Sequence, residues 1–157
     1  MPQTLFGLFG LWVLLAGPVL AAPALSIEDP WIAEAPPVAR VHAGYMKLTN
    51  PTEQPIRITA VNSPRYGRVE MHRTVEKDGV ARMLRMEEIR VEAGGQVVLE
   101  PGGMHLMLFD PSAPARLGEQ LPLRLELNDG SRLEVTAEVR RRPMPSQQHA
   151  PHGHMQH

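Results

Sequence analysis

The chain has 157 residues, with 16 Lys and Arg against 17 Asp and Glu and a formal net charge of −1. That length suits one domain with a leader and a tail, and that charge excludes a basic sheath for nucleic acid. Cysteine is absent, which removes disulfides, iron–sulfur clusters and thiolate zinc or copper sites, and leaves 9 Met and 7 His as the soft and borderline metal ligands.

Leu5 to Leu20 is apolar, broken only by Gly7, Gly10, Gly17 and Pro18, and is followed by the small residues Ala21, Ala22, Pro23 and Ala24. This is the pattern of a secretory signal peptide, expected over residues 1–22. Its n-region lacks Lys and Arg, since the first charged side chain is Glu28. The run is short for a hydrocarbon core of about 30 Å, so no stable membrane insertion is expected once the signal is removed. Export places the mature chain in an oxidising compartment, where a soft metal is better held by thioethers than by thiols.

The mature chain reads as short strands between Gly and Pro punctuation. Trp31 to Ala35 is a candidate first strand, stopped by Pro36-Pro37. His42 to Asn50, Pro55 to Asn62 and Gly67 to Val75 follow. Lys77-Asp78-Gly79 is a hairpin turn by composition, because Asp-Gly tolerates positive φ. Val80 to Val91 returns as two short strands, and Gln96 to Glu100 comes after the turn Ala93-Gly94-Gly95. Pro101-Gly102-Gly103 leads into Met104 to Phe109, and Asn128-Asp129-Gly130 separates Leu121 to Leu127 from Arg132 to Arg140. About nine short strands and no long amphipathic helix predict an all-β antiparallel sandwich or Greek-key barrel. The folded domain is expected over 23–142. From Pro143 the periodicity stops, and 143–157 reads as a disordered, His/Met-rich tail.

Side chains two apart on a strand share a face. His105 and Met107 therefore project together, while Met104, Leu106 and Leu108 turn toward a candidate core. Glu70, His72 and Thr74 share the more polar face of their strand, and the Asp78-Gly79 turn folds Met83 back toward His72. Two imidazoles and two thioethers form a soft, neutral ligand set suited to Cu(I). Zinc more often recruits Cys or a carboxylate, and calcium needs oxygen. Taken singly, Met107 also fits a core filler, and a lone strand histidine a satisfied surface residue. His42 reads as structural.

The spacing His72, ten residues, Met83, twenty-one residues, His105, one residue, Met107 resembles the H-x10-M-x21-H-x-M signature of the PCu(A)C family. Asp29-Pro30-Trp31-Ile32, Ala43-Gly44-Tyr45-Met46, Glu70-Met71-His72 and Pro101 to Leu108 are similar to that family too, so the likeness runs from about Glu28 to Arg140. The resemblance implies a cupredoxin-like β-sandwich with one Cu(I) held by His72, Met83, His105 and Met107. It also implies a periplasmic chaperone that hands copper to the copper centre of cytochrome c oxidase, alone or with a Sco-type protein. Met71, Met86 and Met104 stay open as core residues or secondary thioethers.

His149, His152, His154, Met155 and His157 crowd the C-terminus, and imidazoles with backbone amides suit Cu(II). The tail thus reads as a second copper site, against a solvated tail with incidental affinity. Three other functions compete. A copper buffer or resistance protein would use the same site without a dedicated acceptor. A copper enzyme would need an open coordination position and acid–base groups, for which Glu70 is the one candidate. A plain interaction module would bind no stoichiometric metal. Saturated thioether ligation argues against redox cycling, and no enzyme activity is expected. Arg140-Arg141-Arg142 reads as a solvated strand end.

Overall fold

Alternating apolar and polar residues between turn-forming glycines and prolines give ten strands in a computed structural model that describes residues 25–143. They are β1 (Ser26–Ala33), β2 (Val41–Thr49), β3 (Ile56–Asn62), β4 (Tyr66–Lys77), β5 (Val80–Met86), β6 (Ile89–Val91), β7 (Gln96–Leu99), β8 (Met104–Pro111), β9 (Gln120–Leu127) and β10 (Arg132–Arg140). No helix occurs among the described residues. The expected signal peptide and the tail histidines lie outside the described residues.

The strands form one sheet in the order β5-β4-β8-β7-β2-β1-β10-β9-β3-β6, with β8 also paired directly to β2. Pairing is antiparallel except between β1 and β10 and between β7 and β8. The sheet curls until its far strands meet: β3 packs on β4 and β6 approaches β7 without being their ladder neighbours. Two layers result, as a sandwich requires to bury one face of each. Between them lie Ile32, Leu48, Ile58, Val91, Leu106, Leu108, Leu123, Leu125 and Val139, all nearly or fully buried.

The first strand differs from the expectation. It begins at Ser26, not Trp31, and ends at Ala33. Asp29-Pro30 does not break it but is absorbed as a bulge: Asp29 takes φ 47°, and the register to β2 shifts between Glu28 and Trp31. The β4–β5 connection is as expected. Lys77 pairs with Val80, and both residues between them have positive φ, Asp78 at 56° and Gly79 at 74°. This is the turn whose twist matches a two-residue hairpin.

One polar residue is fully buried with the core. Asn50 donates from Nδ2 to the carbonyls of Gln54, Val91 and Glu92, and its Oδ1 accepts from the Thr52 amide and hydroxyl. It ties the end of β2 to the end of β6, across the two layers. The core histidine His42, 4% exposed, lies with Nδ1 2.8 Å from the Tyr66 hydroxyl. Burial holds the His42 imidazole below its ordinary value and pushes the Tyr66 phenol up to about 12. The hydroxyl thus keeps its proton, and the two polar groups satisfy one another inside the core.

Candidate metal centre

The outer face of the β5–β4–β8 layer is set by register. Opposite β8, Glu70 pairs with Met107 and His72 with His105; opposite β5, Thr74 pairs with Met83 and His72 with Arg85. Directly opposed residues share a face. His72, Met83, His105 and Met107 therefore lie on one face, on three adjacent strands. Their neighbours turn inward: Met71, Leu106 and Leu108 are buried in the core, and Met86 and Met104 pack against it. That resolves the three open methionines. Met71, Met86 and Met104 are core residues on the face opposite the four.

The two imidazoles lie side by side, with ring centres 6.0 Å apart and planes tilted by 34°. A metal–nitrogen bond of about 2 Å from each ring, added to the ring radii, spans up to about 6 Å between centres. Each ring has one nitrogen committed. The His72 Nε2–H donates to Glu70 Oε2 at 2.9 Å, and the His105 Nδ1–H donates to the Gly103 carbonyl at 3.1 Å. The remaining nitrogens are His105 Nε2 and His72 Nδ1, and the latter is buried without a partner. An orphaned buried lone pair costs free energy unless something fills the position.

The Pro101-Gly102-Gly103 turn orients His105. Gly102 has φ 83° with open space around it, so backbone conformation alone asks for glycine there. The turn aims the Gly103 carbonyl so that it accepts from both His105 Nδ1 and the Thr74 amide, the latter at 3.1 Å. One carbonyl thus fixes a ring and joins β4 to β8.

A surface cleft of about 260 Å³ opens over this face, lined by Tyr45, Thr74, Met83, His105, Met107 and Arg142 among others. His105 is 5% exposed, Met107 half-buried and Met83 61% exposed. His72 adjoins His105 but is not part of the lining; its side chain is 13% exposed. Arg142 also lines the cleft, although its place in the sequence reads as a solvated strand end. It shares the cleft wall with Tyr45, and no periodic pattern in the sequence could have located it there. Burial raises the Tyr45 phenol, and the Arg142 cation opposes that rise.

Among the described residues, Glu70 is the one carboxylate bonded to an imidazole on this face. Its carboxyl sits below the ordinary range, first because His72 donates to it, and further because Arg68 and Arg85 stand beside it, against the opposing effect of burial. Among the described residues, no three His, Cys, Asp or Glu gather as a metal site. A metal on this face would have to take sulfur as well as nitrogen.

The family model described as "Putative lipoprotein LpqE-like" matches residues 25–139. The chain belongs to that family. A relative named "Putative lipoprotein Lxx21020", from Leifsonia xyli subsp. xyli, is 27% identical over 141 residues, covering 87% of this chain and 84% of its own. Among solved structures, the Cu(I) form of DR1885 from Deinococcus radiodurans is 30% identical with a TM-score of 0.63, covering 78% of this chain and 81% of that one. The copper-bound PCuAC domain of PmoF2 superposes with a TM-score of 0.66 at 23% identity, over 77% of this chain and 96% of that domain. The fold is thus the cupredoxin-like sandwich of a PCu(A)C domain, as the family resemblance implied.

Proposed function

We propose that this LpqE-like protein is an exported copper chaperone that carries Cu(I) on His72, Met83, His105 and Met107. The observation that carries the reading is the pairing of two imidazoles, each with one nitrogen tied to an acceptor and the other unspent, beside two thioethers on the same face. Four neutral ligands leave the site with the single charge of Cu(I), which a part-buried pocket tolerates better than the double charge of Cu(II). The relative in Deinococcus radiodurans, solved with Cu(I), supports copper as the cargo. The family's lipoprotein description and the apolar leader support an exported, cell-envelope protein.

Copper here is cargo and the protein a carrier rather than an enzyme. Thioethers are uncharged and exchange readily, so an acceptor can replace them one at a time, beginning with exposed Met83. The acceptor we propose is the copper-centre subunit of cytochrome c oxidase, reached directly or through a Sco-type protein. The tail histidines His149, His152, His154 and His157, with Met155, form the second, Cu(II) site in this reading. Arg142 at the cleft supports it, since the chain enters 143–157 from there and a tethered ligand acts at high local concentration.

The test is transfer. Cu(I)-loaded protein mixed with the apo copper-centre domain of the oxidase should pass its copper faster than free Cu(I) exchange allows. Copper retained, or released at the same rate to any chelator, would favour a buffer without a dedicated acceptor.

A further inference from the structure

We propose that Glu70 is a positioning residue that holds the His72 ring with Nε2–H toward its carboxylate and so offers Nδ1 to the metal. The inference rests on the Cu(I) reading of this face and names the group that prepares one of its ligands.

Strand alternation puts Arg68, Glu70 and His72 on one side of β4. The two oxygens of the carboxylate have separate duties. Oε2 accepts from His72 Nε2 at 2.9 Å, while Oε1 is held by Arg68 Nε at 3.1 Å and approached by Arg85 Nη1 at 3.7 Å. The Arg68 guanidinium is itself seated over the Phe109 ring, 3.9 Å from its centre. The carboxylate is 15% exposed, so water competes weakly for it. The chain of contacts runs from Phe109 through Arg68 and Glu70 to His72, and it ends at a nitrogen with no partner.

His105 reaches the same end by another route, with a backbone carbonyl in place of a carboxylate and Nδ1 in place of Nε2. The two imidazoles therefore present different nitrogens, Nδ1 of His72 and Nε2 of His105. A hydrogen-bond acceptor on the far nitrogen fixes both the tautomer and the ring orientation of a ligand histidine. A protein that only needed a paired surface histidine would not leave its second nitrogen buried and bare.

The experiment uses the full chain with Glu70→Ala and Glu70→Gln. In apo wild-type protein, long-range ¹⁵N–¹H spectra should show His72 protonated at Nε2, with that proton protected from exchange. In Glu70→Ala the protected signal should vanish and Cu(I) affinity should fall about 10–100-fold, the usual cost of losing such a partner. Glu70→Gln, whose amide oxygen still accepts the Nε2 proton without the charge, should keep the signal and most of the affinity. Wild-type His72 protonated at Nδ1 would overturn the proposal without any variant. So would Glu70→Ala binding as tightly as wild type, or Glu70→Gln falling as far as Glu70→Ala, which would assign the effect to charge. Wild-type protein that binds no Cu(I) would instead overturn the copper reading on which the proposal stands.

Discussion

Met83 and Met107 share a face but not an environment: Met83 is 61% exposed on an edge strand, and Met107 is half-buried between β4 and β2. In the proposed transfer, the more exposed thioether is the one an acceptor would meet first. Met83→Leu should therefore speed Cu(I) release, read by stopped-flow transfer to a chelator, while Met107→Leu should also lower equilibrium affinity by at least the about 10–100-fold typical of a lost supporting group. Each swap conserves volume, so stability should change by less than about 1.5 kcal/mol. At this scale the sequence was informative. The i, i+2 spacing of His105 and Met107 and the alternation through Glu70, His72 and Thr74 assign faces without any coordinates. The ring nitrogens were not legible. Which of them is spent depends on Glu70 Oε2 and the Gly103 carbonyl, and those contacts exist only once β4 and β8 are in register.

The β4–β8 ladder and the turns at its ends make the site. Asp78-Gly79 returns the chain as a two-residue hairpin and lays Met83 opposite Thr74. Pro101-Gly102-Gly103 aims the carbonyl that fixes His105. Gly102→Ala adds a Cβ in open space, so its cost is the left-handed backbone alone, about 1–2 kcal/mol. Because that strain sits beside the His105 acceptor, Cu(I) affinity should fall as well. Chemical denaturation and chelator competition on the same variant read the two effects. Both turns were legible, since Gly after Asp or Pro leaves few backbone choices. The start of β1 was not. Asp29-Pro30 looks like a break, and only the pairing of Ile27 with Leu48 and Trp31 with Tyr45 on either side shows a bulge inside one strand. Arg142 was equally hidden, because its place in the cleft depends on β10 running parallel to β1.

For the whole molecule, stability rests on the curled sheet and on two buried polar positions. Asn50→Ala would strand the Val91 and Glu92 carbonyls and the Thr52 amide, and should cost about 3 kcal/mol in a denaturation midpoint. Leu108→Ala, at the centre of the core, should cost about 2–5 kcal/mol. His42 predicts a pH dependence. Its folded-state pKa is depressed by burial, so the unfolded chain takes up the proton first as pH falls below 6.5. The contribution of neutral His42 is complete above that value and is lost as pH drops toward the folded-state pKa. Denaturation at about pH 7.5 and about pH 5.5 should show a difference that narrows in His42→Gln. The two-layer all-β architecture was legible from strand spacing and turn residues. The order of strands was not, because the crossovers that bring β10 beside β1 and β8 beside β2 connect segments distant in sequence.

In the proposed site, two His and two Met on this face hold copper by themselves. The most direct measurement is anaerobic Cu(I) competition with a chromogenic chelator on protein ending at Arg142, beside the same protein carrying Met83→Leu and Met107→Leu. One tightly bound equivalent is expected without the tail, lost in the double variant. Tight binding that disappears with the tail, or that survives the loss of both thioethers, would contradict it.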